Sequence, residues 1–420
     1  MDLIELAKAL KLPEASVTAN GMERDWAGSL NTFSGLPEYL TMPFVREYFG
    51  PGWVNGDAAL LPLFERTAAI VAKNRELQLY AHHSHRALFV NDGIAWSYGA
   101  WPRLNALLGE DLCGIFDFMI AMSAIPLWCA THRKMGIPER YSRASADWLK
   151  GTMRIYNSAH PGCHGIDRSQ TYWLRFNIDG KLFRIGRFEY MADSLEKWTP
   201  PVFRSRTDGR VTALCGDNWG LLPDGSRMFN VKDEAAAPLH TKFETDADGF
   251  RGTFIRPDGF AVPGDVRTLK SSEYAPVFSE GDLVPGMHIP GGGGMTLDEA
   301  YKSWNEALEF FPKYLGREVK GICCRSWIFN PSFERELPDS NLAKLMREVY
   351  LFPEMSYGRD GAFFIFGRSD GDFSNYPNDN SVRRAFHRIV EKGELLKTGG
   401  MFVLPEEIRS HNCKRYRSMN

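Results

Sequence analysis

The chain has 420 residues, is 44% hydrophobic and 24% charged, and carries a formal net charge of −2. Its length allows two or three domains, its composition is that of an ordinary globular protein, and its balanced charge offers no basic surplus for nucleic acid or an anionic membrane. Seven cysteines without a CxxC pair outline neither a zinc framework nor a disulfide scaffold.

Asp2, Glu5 and Lys8 interrupt the N-terminus, so a signal peptide is not expected. Vicinal Cys323 and Cys324 suit a reducing cytosol, and the expected location is cytoplasmic. Residues 1–155 read mainly as helix and are expected to form an N-terminal helical domain. Asp2–Leu10 is short and amphipathic. Asp57–Leu79 reads as one long helix whose regular part starts at Pro62, where a missing N–H costs least. His82, His83 and His85 cluster as HHSH, but adjacent residues do not converge on one metal in helix or strand, so no metal is expected. Cys113–Ala130, CGIFDFMIAMSAIPLWCA, is the most membrane-like stretch. Asp117 and Pro126 interrupt it and its length is marginal for a span, which predicts a central buried helix and no membrane. Ser142–Tyr156 is a further predicted helix.

From Thr171 the period changes. TYWLRFNI and KLFRIGRFEY flank Asp179-Gly180, the signature of a hairpin. Four more Asp-Gly pairs, at 208, 224, 248 and 258, mark turns, so residues 200–280 are expected to be β-rich and looped.

Val284–Leu308, VPGMHIPGGGGMTLDEAYKSWNEAL, predicts strand, glycine loop and helix. Thr296 and Glu299 have capping-box spacing. Leu297, Tyr301, Trp304, Leu308 and Phe311 form one apolar face. Free N–H groups and the positive helix end face Gly291–Gly294, an anion-binding arrangement. A flexible turn closing a βα unit is the competing reading, and Asp298 and Glu299 already bring negative charge there. Val319–Cys324 then reads as a strand, and a helix follows Pro338 and Asp339. Ala362–Phe366 reads as a buried strand, and Ser381 opens a last helix. Residues 156–420 thus predict a mixed α/β domain, the whole chain an α+β fold. Val284–Ile289, Val319–Cys324 and Ala362–Phe366 are expected in one sheet.

HIPGGGGMT, EFFPKY, CCRSWIFNP, LPDSN, YLFPE, FFIF and GGMFVL occur in an order that resembles a bacterial family of acyltransferase domain-containing proteins, and GIPERY and LFRIGRFEY fit the same pattern. The resemblance covers roughly Gly136–Tyr416. It implies an N-acyltransferase-like N-terminal domain and a GNAT-like C-terminal domain, a core that binds acyl-coenzyme A where a central strand splays and a loop of backbone amides holds the pyrophosphate. On this mapping Gly291, Gly292, Gly293 and Gly294 hold the pyrophosphate. The usual Arg or Gln before spaced glycines is absent, and Pro290 removes a donor.

His288, before the loop, is a candidate base for an acceptor amine. Ser326 and Trp327 end the next strand, where ligand sites form. Ser326 is a candidate donor to a thioester carbonyl, and Trp327 a candidate wall of the acyl pocket. Tyr350, read as ending a helix, takes by resemblance the tyrosine role of reprotonating the thiolate. The expected function is acyltransfer from acetyl-CoA or another acyl-CoA to an amine on a small molecule or peptide, with no metal. A non-catalytic binding or assembly protein on the same scaffold is one alternative. A hydrolase using Cys324 or a serine with His288 is another.

Overall fold

The computed structural model describes all residues except 92–94, 193–198, 228–236, 292, 371, 412–414 and 419–420. The chain divides into two compact units, Met1–Arg184 and Ile185–Asn420. Residue 155, the expected boundary, lies within the Glu139–Ala159 helix of the first unit.

The first unit is helical. The run expected as one long helix is two, Leu61–Ala72 and Arg75–His85. Asn74 separates them, because its side-chain oxygen accepts from Leu77 N–H at 2.8 Å and caps the second. Leu112–Met122, in the Asn105–Met122 helix, is buried throughout, and Ala124–Lys134 continues from it. This pair is long and apolar enough to cross a membrane, yet 83% of its most apolar window is covered by protein. Asp117 is tolerated there because Arg168 meets it. Arg168 Nε donates to Asp117 Oδ2 at 2.9 Å and Nη2 lies 2.8 Å from Oδ1. Arg168 Nη1 also donates to the Tyr80 hydroxyl and the Pro102 carbonyl. A buried charge needs such a partner, since desolvation costs several kcal/mol per ion.

The three clustered histidines point at three different partners. His83 Nε2 is 2.6 Å from the Met22 carbonyl, which only accepts, so Nδ1 receives the Ser29 hydroxyl at 2.7 Å. The Ser123 hydroxyl donates to the Ile120 carbonyl, so His85 Nδ1–H donates to Ser123 at 2.6 Å. His82 Nε2 meets Thr32. Among the described residues no group of three or more His, Cys, Asp or Glu is placed to hold a metal ion.

The end of the first unit carries a correction. Residues 171–178 are not a strand but a 3₁₀ turn (Arg168–Trp173) and a short helix (Leu174–Ile178). A short apolar run fits either period, and Asp167 fixes the outcome by capping the turn through Ser169 N–H. The hairpin instead joins β1 (Leu182–Ile185) to β2 (Phe188–Met191) across Gly186-Arg187. The predicted β-rich region follows as β3 (Val202–Ser205), β4 (Val211–Leu214), β5 (Gly220–Leu221), β6 (Leu239–His240), β7 (Glu244–Thr245), β8 (Gly249–Ile255), β9 (Ala261–Lys270) and β10 (Tyr274–Pro276). The glycines of its four Asp-Gly pairs all have positive φ, as such turns require. β3, β4, β7, β8, β9 and β10 form a sheet of their own. The chain then returns as β11 (Gly286–His288), β12 (Ile322–Ser326), β13 (Tyr350–Pro353) and β14 (Gly399–Val403), giving a mixed core sheet ordered β1-β2-β11-β12-β14-β13.

Ala362–Phe366 is a short helix between Gly361 (φ 88) and Gly367 (φ 77), not the third strand expected. A five-residue apolar run does not discriminate, and Phe364 at 57% exposure is not in a sheet interior. β13 and β14 take that place beside β12. The Leu297–Leu315 helix carries the predicted capping box, Thr296 with Glu299. It packs on the core sheet: Trp304 Nε1 donates to Met287 Sδ at 3.4 Å, and Phe311 meets Tyr190 edge-on.

Asp117→Ala leaves Arg168 buried without its counter-charge and is expected to cost about 3–5 kcal/mol in urea unfolding. Burial pushes His83, His85 and His132 down to about 4. Unfolded, each takes a proton near pH 6.5, so stability is full above that pH and falls as pH drops toward 4. Calorimetry is expected to show a melting temperature flat from pH 8 to 7 and declining below 6.5, less steeply in His132→Gln.

Candidate functional site

β11 and β12 run parallel with a short shared register. Leu283 bridges Val319, Lys320 N–H donates to the Leu283 carbonyl, Cys323 N–H to the Pro285 carbonyl, and Gly286 faces Cys323. Beyond that pair the register of each strand is with its outer neighbour. Met287 and His288 pair with Tyr190 and Glu189 of β2. Cys324, Arg325 and Ser326 pair with Met401, Gly400 and Gly399 of β14. The β11–β12 ladder ends at Gly286 and Cys323, short of the strands' carboxyl ends. There β11 runs into the glycine loop and β12 into the Trp327–Phe329 turn.

Gly291, Gly293 and Gly294 are exposed between buried Pro290 and buried Met295, and Gly292 lies outside the described residues. None of these three has the left-handed φ that demands glycine. A Cβ on Gly291 or Gly294 would meet nothing within 4 Å. Neither backbone nor packing therefore accounts for glycine at 291 or 294. Arg187 holds the loop from the hairpin turn: Nε donates to the Gly294 carbonyl at 2.8 Å and Nη2 to the Gly293 carbonyl at 3.1 Å. The Glu299 carboxylate is engaged in the cap, accepting the Thr296 hydroxyl at 2.8 Å, which holds it below the usual carboxylate range.

His288 ends β11, half-buried, opposite buried Glu189. Burial, with Arg325 nearby, pushes it down to about 4. It is neutral near pH 7, able to share a hydrogen bond but poorly matched to storing an amine's proton. Ser326 ends β12, and its Oγ accepts Ile328 N–H at 3.3 Å, capping the turn. Trp327 lies half-buried with its ring against Gly361, where a Cβ would come within 2.6 Å. His288 and Ser326 thus end the adjacent strands β11 and β12, and the glycine loop and Trp327 follow them.

Tyr350 does not join them, and its assigned role is corrected. It opens β13 instead of ending a helix, is fully buried, and stacks on Phe402 with centroids 4.7 Å apart. Its hydroxyl donates to the Ile255 carbonyl at 2.5 Å and accepts from Ala213 N–H at 3.2 Å. That proton is committed to fastening the second sheet to the core sheet. Burial also holds the Cys324 thiol far above its ordinary range, so the nucleophile of the hydrolase reading is un-ionised.

Sequence reasoning missed Arg187, because its loop partners lie more than a hundred residues away. It also missed Glu354, buried near Arg227 at 3.4 Å and Arg325 at 3.7 Å. A depression of about 540 Å³ lies elsewhere, lined in part by Arg256, Arg335 and Lys397. Those cations already pair with Asp258, Glu394 and Asp224.

A mixed sheet with a central parallel pair, one strand of which leads through a loop into a capped helix, fits a GNAT-like core. Residues 182–402 match the family model for the GNAT-like C-terminal domain, more than half of the chain, and the protein belongs to that family. Solved acyltransferase structures resemble it in fold along most of its length. One, in complex with decanoyl-CoA, has 18% identity and a TM-score of 0.56, covering 96% of this chain and 100% of that one. Another, with decanoyl-CoA and teicoplanin, has 15% identity and a TM-score of 0.55, covering 96% and 99%. An acyltransferase mutant with octanoyl-CoA has 16% identity and a TM-score of 0.55, covering 96% and 100%. Comparison with curated proteins gives no match.

Tyr350→Phe leaves a buried N–H and a buried carbonyl without their shared partner. It is expected to lower stability by about 1–3 kcal/mol, read as a shift of the denaturation midpoint at unchanged slope.

Proposed function

We propose that the protein transfers an acyl group from acyl-coenzyme A to an amine on a small molecule or peptide. The observation that carries this reading is the glycine loop that follows β11, beside parallel β12, and leads into a capped helix. We place the extended pantetheine arm in a slot at the carboxyl ends of β11 and β12, past their last ladder pair. The loop presents backbone donors at the positive end of the Leu297–Leu315 helix, suited to a diphosphate. Exposed glycines that neither φ nor packing requires fit a place where a ligand approaches the backbone closely. The decanoyl- and octanoyl-CoA complexes of the similar acyltransferases favour a medium-chain acyl donor. Teicoplanin in one of them favours a bulky amine acceptor.

In this reaction the amine nitrogen attacks the thioester carbon. A C–N bond forms, the C–S bond breaks, the nitrogen loses a proton to solvent, and the departing thiolate takes one up. The chain contributes mainly orientation and oxyanion stabilisation. Ser326 and Trp327 line the β12 side of the slot and neutral His288 the β11 side. The described cysteines are free thiols, in keeping with a reducing cytoplasm.

A thermal-shift series with acyl-CoAs of graded chain length tests binding, since a ligand at a hundred times its Kd stabilises by about 2.7 kcal/mol. The double variant Gly291→Val with Gly294→Val is expected to keep a native circular-dichroism spectrum and to weaken binding tenfold or more. Equal binding by both proteins removes the loop from the site. No binding by wild type removes the acyl-CoA reading. Mass spectrometry of amines incubated with acyl-CoA separates catalysis from binding alone.

A further inference from the structure

We infer that Arg187 is a positioning residue that aims the amides of the glycine loop at the diphosphate of the acyl donor, an inference that rests on the acyl-CoA reading. The loop, HIPGGGGMT, contains neither lysine nor arginine. The cation beside it comes from a distant stretch, the turn between β1 and β2.

That turn is fixed to the helix the loop leads into. Gly186 has φ 57, and a Cβ there would crowd Ser303 at 3.2 Å. The Ser303 hydroxyl donates to the Ile185 carbonyl at 2.5 Å, so the contact with the Tyr190 hydroxyl at 2.8 Å has Tyr190 as donor. Arg187 follows, buried, with its guanidinium 5.7 Å from the Phe188 ring.

From this anchored position Arg187 grips two successive carbonyl oxygens, Gly293 and Gly294. No peptide bond described is cis. In a trans peptide the C=O and the following N–H point in opposite directions. Drawing the two carbonyls toward Arg187 therefore turns the N–H groups of Gly294 and Met295 away from it. The two amides so turned lie just before the Leu297–Leu315 helix, at the positive end of its dipole, where an anion is favoured. Without the guanidinium, glycine peptides are free to turn their carbonyls outward and repel a phosphate. The permanent positive charge of Arg187 also offsets the acidic first turn of the helix, Asp298 and Glu299.

The test is isothermal titration of CoA and of S-octanoyl-pantetheine, which carries the thioester without the diphosphate, into wild type, Arg187→Met and Arg187→Lys. The expected result is a CoA Kd raised at least tenfold in Arg187→Met and partly restored in Arg187→Lys, with S-octanoyl-pantetheine binding all three alike. A uniform loss for both ligands means a structural role and overturns the inference. Unchanged CoA binding in folded Arg187→Met overturns it while leaving the acyl-CoA reading in place. No CoA binding by wild type overturns both. Should Arg187→Met fail to fold, hydrogen exchange on wild type decides. Added CoA is expected to slow exchange at Gly294 and Met295, and no slowing there overturns the inference.

Discussion

The second unit depends on where the register between β11 and β12 ends. Up to Gly286 and Cys323 the strands are an ordinary parallel pair. Past it β2 keeps one and β14 keeps the other. Two glycines of β14 make room for its neighbours. A Cβ on Gly399 would fall 2.0 Å from the Phe329 carbonyl oxygen, and one on Gly400 would strike the Phe352 ring. Without those Cβ atoms the Trp327–Phe329 turn can lie close against β14. The helix after the glycine loop holds the other side, through Trp304 against Met287 and Ser303 against the hairpin.

Few side chains near the carboxyl ends of β11 and β12 are poised to titrate near pH 7. His288 is held neutral, Cys324 un-ionised, and Tyr350 spends its hydroxyl on structure. What remains is backbone: amides presented by a loop whose carbonyls a buried guanidinium has taken. Such donors need no reorganisation when charge develops, which makes preorganised amides effective at phosphate and oxyanion sites.

The helical first unit, the Asp-Gly turns, the capping box and the loop before it were legible in sequence because each is a local rule. Thr296 and Glu299 lie three residues apart, and an Asp-Gly pair carries its own φ requirement. What was not legible depended on distant partners or on short apolar runs. TYWLRFNI and AFFIF have too few residues to separate a period of 2 from one of 3.6. Tyr350 was misplaced because nothing local shows that Ile255 and Ala213 would claim it. Arg187 was not singled out, because its partners Gly293 and Gly294 lie more than a hundred residues away.

The second sheet leaves the core sheet after Met191 and returns at Gly286, two residues paired with each other in neighbouring strands. A chain of roughly ninety residues must therefore begin and end at one cross-strand pair. Closing so long a loop in a disordered chain costs ~4 kcal/mol in entropy. Folding of the excursion as a sheet of its own draws its ends together first, and β2 then meets β11 at little further entropic cost. The order of assembly is thereby biased: the outer sheet first, the β2–β11 pair next.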